Sequence, residues 1–92
     1  MDDRRFAIAR AEELAGRGYG DEAIRLDLAG RGVEGDGTEV AIGELAPERE
    51  RAAALVARHG PGRKTAALLA RRGFGPDAVE TAAGPDVAPG AP

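Results

Sequence analysis

Apolar residues recur at three- and four-residue steps in short segments, and Gly or Pro closes nearly every segment. That is the spacing of helices, with local punctuation marking their ends. The first segment carries Phe6, Ala9, Ala11, Leu14 and Ala15, has Asp2 or Asp3 as its cap, and runs into Gly16-Arg17-Gly18. Gly at a helix end supplies the left-handed closing residue. A second helix starts at Gly20-Asp21-Glu22, where acids suit the positive N-terminus, places Ile24 and Leu28 on one face, and ends at Gly30-Arg31-Gly32. A third, weaker helix is expected over 38–45, with Val40, Ala41 and Leu45 inward. Pro47 reads as the first residue of a fourth helix with the stripe Ala52, Leu55 and Val56. A fifth is expected over 63–72, with Leu68 and Leu69 inward, and a sixth from Pro76-Asp77 using Val79, Ala82 and Ala83. Strand patterns are nearly absent, and the aromatics are only Phe6, Tyr19 and Phe74.

The segments repeat. Leu28-Ala29-Gly30-Arg31-Gly32-Val33 matches Leu69-Ala70-Arg71-Arg72-Gly73-Phe74 at an offset of 41 residues, and a helix follows each copy. A unit of helix, Gly, hydrophobe and helix at such a period signals stacked helical modules. The expected fold is therefore all-α, with two tandem three-helix repeats at 1–46 and 47–84 and a disordered tail at 85–92 that lacks any periodicity. Val33 and Phe74 should tuck under the helix just ended, as the residue after a glycine closure does. Leu68, Leu69, Phe74 and Val79 should form the heart of the second unit.

Composition narrows the class. A chain of 92 residues suggests one domain that buries only roughly 60–65% of its unfolded surface, so the core must be thin. Absence of cysteine excludes disulfides and thiolate metal sites and fits a cytoplasmic location. The N-terminal residues lead into no long apolar stretch, and the longest apolar run, 52–57, is too short to span a bilayer. The net charge of −3 conceals two unlike halves: residues 1–46 carry six Arg against eleven acids, and residues 47–92 carry six Arg and one Lys against five.

Candidate chemistry is sparse. Gly60-Pro61-Gly62-Arg63-Lys64-Thr65 has the residue types of a phosphate-binding loop, but the spacing is wrong and no strand precedes it, so it reads as a connection. The Gly-x-Gly pairs lack the strand-helix-strand context of a dinucleotide fingerprint and read as helix closures. His59 is the only histidine, and the chain has no serine or cysteine for it to activate. It reads as a surface residue at a helix end, and neither a metal site nor a catalytic group is expected. The carboxylates Asp2, Asp3, Glu12, Glu13, Asp21 and Glu22 read as caps and solvated faces. The least ordinary feature is a fifteen-residue stretch, 58–72, without one acid. Arg71 and Arg72 there suit a helix C-terminus, but Arg63 and Lys64 sit near a helix start, where positive charge is unfavourable. That mismatch marks Arg58, Arg63, Lys64, Arg71 and Arg72 as a candidate contact surface for an acidic partner.

Three stretches carry a family resemblance. The opening Met1-Asp2-Asp3-Arg4-Arg5-Phe6-Ala7 is similar to the segment Leu-Asp-Asp-x-x-Phe-Ala of the RecX family. The run from Arg17 to Leu28, closing with Gly32-Val33, resembles the second helix of the same repeat. The run from Lys64 to Phe74 resembles the last repeat, where Leu-x-x-Arg-Gly-Phe is characteristic. The resemblance spans about 2–83 and implies the second and third RecX repeats, with the first absent before Met1. Asp21-Glu22 departs from the basic residues frequent there in relatives. What the resemblance implies is a non-enzymatic regulator without cofactor. Its partner would be the filament of the RecA recombinase, whose recombination and ATPase activities it would restrain. Contact with DNA would come through that filament, and neither a membrane nor a small-molecule substrate would be involved. A helical DNA-binding module of helix-turn-helix type is the alternative. Net acidity, few stacking aromatics and a single basic stretch count against it.

Overall fold

The computed structural model describes residues 3–84. The segment 85–92, expected to be a disordered tail, and the candidate cap Asp2 lie outside the described residues. The described chain folds into α1 (Asp3–Gly16), α2 (Asp21–Gly30), α3 (Gly35–Gly43), α4 (Glu48–His59), α5 (Arg63–Arg71) and α6 (Pro76–Ala83). It contains no strand, so the fold is all-α. Helix order and helix ends follow the Gly and Pro punctuation.

Three helices end in the same way. After α2, the Val33 N–H donates to the Leu28 carbonyl and the Gly32 N–H to the Ala29 carbonyl, both at 3.0 Å. Tyr19 and Gly18 make the same pair of bonds to Leu14 and Ala15 after α1, and Phe74 and Gly73 to Leu69 and Ala70 after α5. This six-to-one and five-to-two pattern is the Schellman closure, and it satisfies carbonyls that a helix end leaves open. Gly18, Gly32 and Gly73 each take a positive φ there, between 86° and 92°. The motif Leu-Ala-x-Arg-Gly-hydrophobe thus occurs three times, since Leu14-Ala15-Gly16-Arg17-Gly18-Tyr19 follows it as well.

Two clusters of buried residues form. Ala7, Ala11, Leu14, Ile24, Leu28 and Ala41 make one, with Tyr19, Val33 and Leu45 packed against it. Ala52, Leu55, Ala66, Leu69, Phe74, Ala78 and Ala82 make the other. The main helix packing runs within α1–α3 and within α4–α6. The molecule is elongated, 59 × 20 × 16 Å.

Several inward faces differ from those expected. On α1 the buried row is Ala7, Ala11 and Leu14, whereas Ala9 is exposed and Phe6 is 40% exposed. The main contact of α1 is with α3, and the buried residues are Ala7, Ala11 and Leu14 on the first and Thr38 and Ala41 on the second. Small residues let two helix backbones approach, and a Phe in that row would hold them apart. Helix α3 starts three residues before the expected Thr38, at Gly35. Val33 closes α2, which leaves Glu34 as the extended N-cap, its carbonyl receiving the Thr38 N–H at 2.9 Å. Its inward face is Thr38 and Ala41, so Val40 lies outward. Pro47 is the cap of α4 rather than its first residue, and Arg72 caps α5 rather than ending it. In the second cluster Leu69 and Phe74 are buried as expected. Leu68 and Val79 are half-buried, because Thr65, Ala66, Ala78 and Ala82 take the closest positions.

Candidate functional site: a cationic cleft at the junction

The turn between α1 and α2 meets the turn between α5 and α6 main chain to main chain. The Gly20 N–H donates to the Arg72 carbonyl at 2.8 Å, and the Glu22 N–H to the Gly73 carbonyl at 3.0 Å. This approach needs two glycines. A Cβ on Gly20 would lie 2.5 Å from the Phe74 nitrogen, and one on Gly73 would lie 2.6 Å from the Cβ of Ala23.

Charged side chains complete the joint. The Glu48 carboxylate accepts the Asp21 N–H at 2.8 Å and the Gly75 N–H at 3.2 Å, so one side chain caps the starts of α2 and α6 while sitting in the first turn of α4. A negative charge at the positive ends of three helices is favourably placed. Arg51 donates to the Tyr19 carbonyl at 3.1 Å and the Ala46 carbonyl at 3.0 Å, and pairs with Asp21. Arg72 donates to the Arg17 carbonyl at 2.9 Å, with its guanidinium 5.5 Å from the Tyr19 ring centre.

Beside this joint opens a cleft of about 420 Å³. Arg17, Arg51, Arg58, His59 and Arg72 line it, with Leu55 and Phe74 among the apolar lining, and among the described residues no Asp or Glu does. Of the five cations marked from the sequence, the fold brings Arg58 and Arg72 into this cleft. Arg63 and Lys64 sit exposed on the first turn of α5 and Arg71 exposed at its end, outside the lining. Among the described residues, the side chains of Arg58, Arg63, Lys64 and Arg71 make no hydrogen bond or ion pair, whereas that of Arg72 is held by the junction. Sequence reasoning missed Arg17 and Arg51. Arg51 lies in the mixed run Glu48-Arg49-Glu50-Arg51, which looks like any solvated helix face. Arg17 could have been found, because it holds the same place before Gly18 that Arg72 holds before Gly73.

Elsewhere ion pairs tie helices within the first group. Arg10 grips Asp27 with two bonds, at 3.0 and 3.1 Å, and Arg25 grips Glu39 at 2.8 and 3.2 Å. Hydrogen bonding from Arg10, and then from Arg31, holds the Asp27 carboxyl below its ordinary pKa against the opposing effect of burial. Arg25 lowers that of Glu39 in the same way. No cluster of His, Cys, Asp or Glu suited to a metal ion occurs among the described residues, and no described helix is long and apolar enough to cross a membrane.

Fold and cleft define a small all-α module with a cationic joint between two groups of three helices. Its relatives carry one name. The chain is 35% identical, over 89% of its length, to the "Regulatory protein RecX" of Xanthomonas axonopodis pv. citri, covering 57% of that protein. The same identity and share of this chain hold against the RecX proteins of Xanthomonas oryzae pv. oryzae, covering 58%, and Stenotrophomonas maltophilia, covering 56%. These proteins are homologues of the chain, so the RecX resemblance holds over nearly all of it, while the chain spans somewhat more than half the length of the curated relatives it matches. No family model matches the chain.

Proposed function

We propose that the chain is a non-enzymatic regulator that binds the RecA filament and restrains its recombination and ATPase activities. The observation that carries this reading is the homology to proteins named as RecX regulators. RecA as the partner rests on the resemblance of the motifs to that family. We read 1–46 and 47–84 as tandem units, the first acidic and the second presenting Arg58, Arg63, Lys64, Arg71 and Arg72 to an acidic surface of the filament. Four of these have no partner among the described residues, so their charge is available to another molecule. Complementary charge steers association more than it sets final affinity, and its reach is about 8–10 Å at physiological salt.

Co-sedimentation with RecA filaments tests this. The double variant Arg63→Glu and Lys64→Glu should fold normally and lose most filament binding at low salt. Reversal of two exposed acids, Glu12→Lys with Glu44→Lys, should matter less. Filament binding equal to the parent chain in the first variant sinks the role given to Arg63 and Lys64. Absence of binding in the parent chain sinks RecA as partner, and a gel shift of bare DNA in its place favours the DNA-binding alternative.

A further inference from the structure

The junction cleft gathers four arginines and one histidine from both helix groups. Arg17 comes from the end of α1, Arg51, Arg58 and His59 from α4, and Arg72 from the end of α5. Two of the five are fixed in advance. The main-chain carbonyls of Tyr19 and Ala46 and the Asp21 carboxylate hold Arg51, and the Arg17 carbonyl holds Arg72. A guanidinium carries five N–H donors, so Arg72, with one hydrogen bond shown, retains donors for a further acceptor. Side chains already ordered have less freedom to lose when a ligand arrives. The side chains of Arg58 and His59 make no hydrogen bond or ion pair among the described residues.

We propose that this cleft is a docking pocket for a single carboxylate side chain, Asp or Glu, presented by a protein partner. This rests on the protein-binding reading above and names the chemical group that reading leaves open. A carboxylate pairs with arginine through two parallel hydrogen bonds, and Leu55 and Phe74 offer apolar surface to the methylenes behind it. The alternative anion is the phosphate of a nucleic acid. A continuous polyanion needs a row of cations that follows its backbone. Here the arginines converge on one cleft, and its α1 side is acidic. Glu12 and Glu13 are exposed on α1, and Glu13 itself pairs with Arg17. A discrete charge fits between these acids, whereas an extended one is repelled by them.

The test is an NMR titration of the ¹⁵N-labelled full chain with a short acetylated Glu-rich peptide. Inorganic phosphate and a single-stranded oligonucleotide serve as separate probes at equal ionic strength. The peptide should give saturable shifts at the amides of Gly18, Arg58, His59 and Arg72. Arg58→Glu and the milder Arg58→Gln should keep the spectrum of a folded chain. The reversal should weaken the peptide at least about tenfold, the loss of a charge-assisted hydrogen bond. Arg63→Glu, outside the cleft, should change it by less than about threefold, as for a screened surface charge. No saturable shift in the cleft overturns the proposal, as does equal weakening by Arg58→Glu and Arg63→Glu. Tighter binding of the oligonucleotide at the same amides reassigns the cleft to nucleic acid. The titration contains no recombinase, so its failure leaves the regulatory reading to the filament assay.

Discussion

At the scale of single residues, the glycines divide into those the joint requires and those it tolerates. Gly20 and Gly73 sit where two main chains touch, and a side chain on either meets atoms at 2.5–2.6 Å. Gly73 also holds a φ of +86°, which costs a residue with a Cβ roughly 1–2 kcal/mol before any clash. Gly16 is the reverse case: it is helical and nothing lies within 4 Å of where its Cβ would be. Gly20→Ala and Gly73→Ala should each lower the denaturation midpoint, by roughly 2–4 kcal/mol of stability for Gly73, since strain and overpacking add. Gly16→Ala should raise stability by about 0.5 kcal/mol, because alanine loses less backbone entropy in a helix. Urea unfolding of the three variants separates the cases, and a destabilised Gly16→Ala would show that α1 ends differently from this account.

At the scale of elements, α3 is the least secure helix. It contains three glycines in nine residues, Gly35, Gly37 and Gly43, each worth up to about 1 kcal/mol against a helix interior. Its anchors are Thr38 and Ala41 against α1 and the pair Arg25–Glu39 to α2. Amide exchange should therefore be faster along α3 than along α5, and equal protection in the two would contradict this ranking. The ion pairs add a dependence on acidity. Asp27 and Glu39 have folded-state pKa values below their ordinary ones, so the unfolded chain takes up their protons first. Their contribution is present above about pH 4 and is lost as pH falls through the lowered values. Protection factors, which correct for the slower intrinsic exchange at low pH, should fall between pH 5 and pH 3 more in α1–α3 than in α4–α6, and Asp27→Asn should reduce that difference. The order of the helices was legible in the sequence because helix ends are written locally, as in Gly32-Val33 and Gly73-Phe74. The inward face of α1 was not. Ala7, Ala9 and Ala11 look alike in a periodicity, and the choice among them is made by how closely α3 approaches.

At the scale of the whole molecule, Glu48 is the residue on which the joint turns. Its carboxylate satisfies N–H groups of α2 and of the α6 cap, which belong to opposite groups. Glu48→Ala removes both bonds at once, each to a charged acceptor, and should cost about 2–4 kcal/mol overall. Both buried clusters should survive. The loss should appear as a larger radius of gyration in X-ray scattering and as new exchange at Gly20 and Glu22, and an unchanged profile would show that the main-chain bonds suffice alone. Half of the site was legible for the same reason that the joint was not. An acid-free stretch announces Arg58 and Arg72, but Arg17 and Arg51 reach the cleft only through contact of two turns far apart in the chain. The make-up of that joint has a consequence for extending the molecule. Its parts are few: a Gly-Tyr-Gly-Asp turn on one side, and on the other a Glu-x-x-Arg at a helix start together with an Arg-Gly-Phe closure. Main-chain groups supply much of the bonding, so few side chains beyond these need to match across the seam. A further group of three helices written with the same short set of positions would couple by the same fittings, and an array could be lengthened one module at a time without redesigning either core.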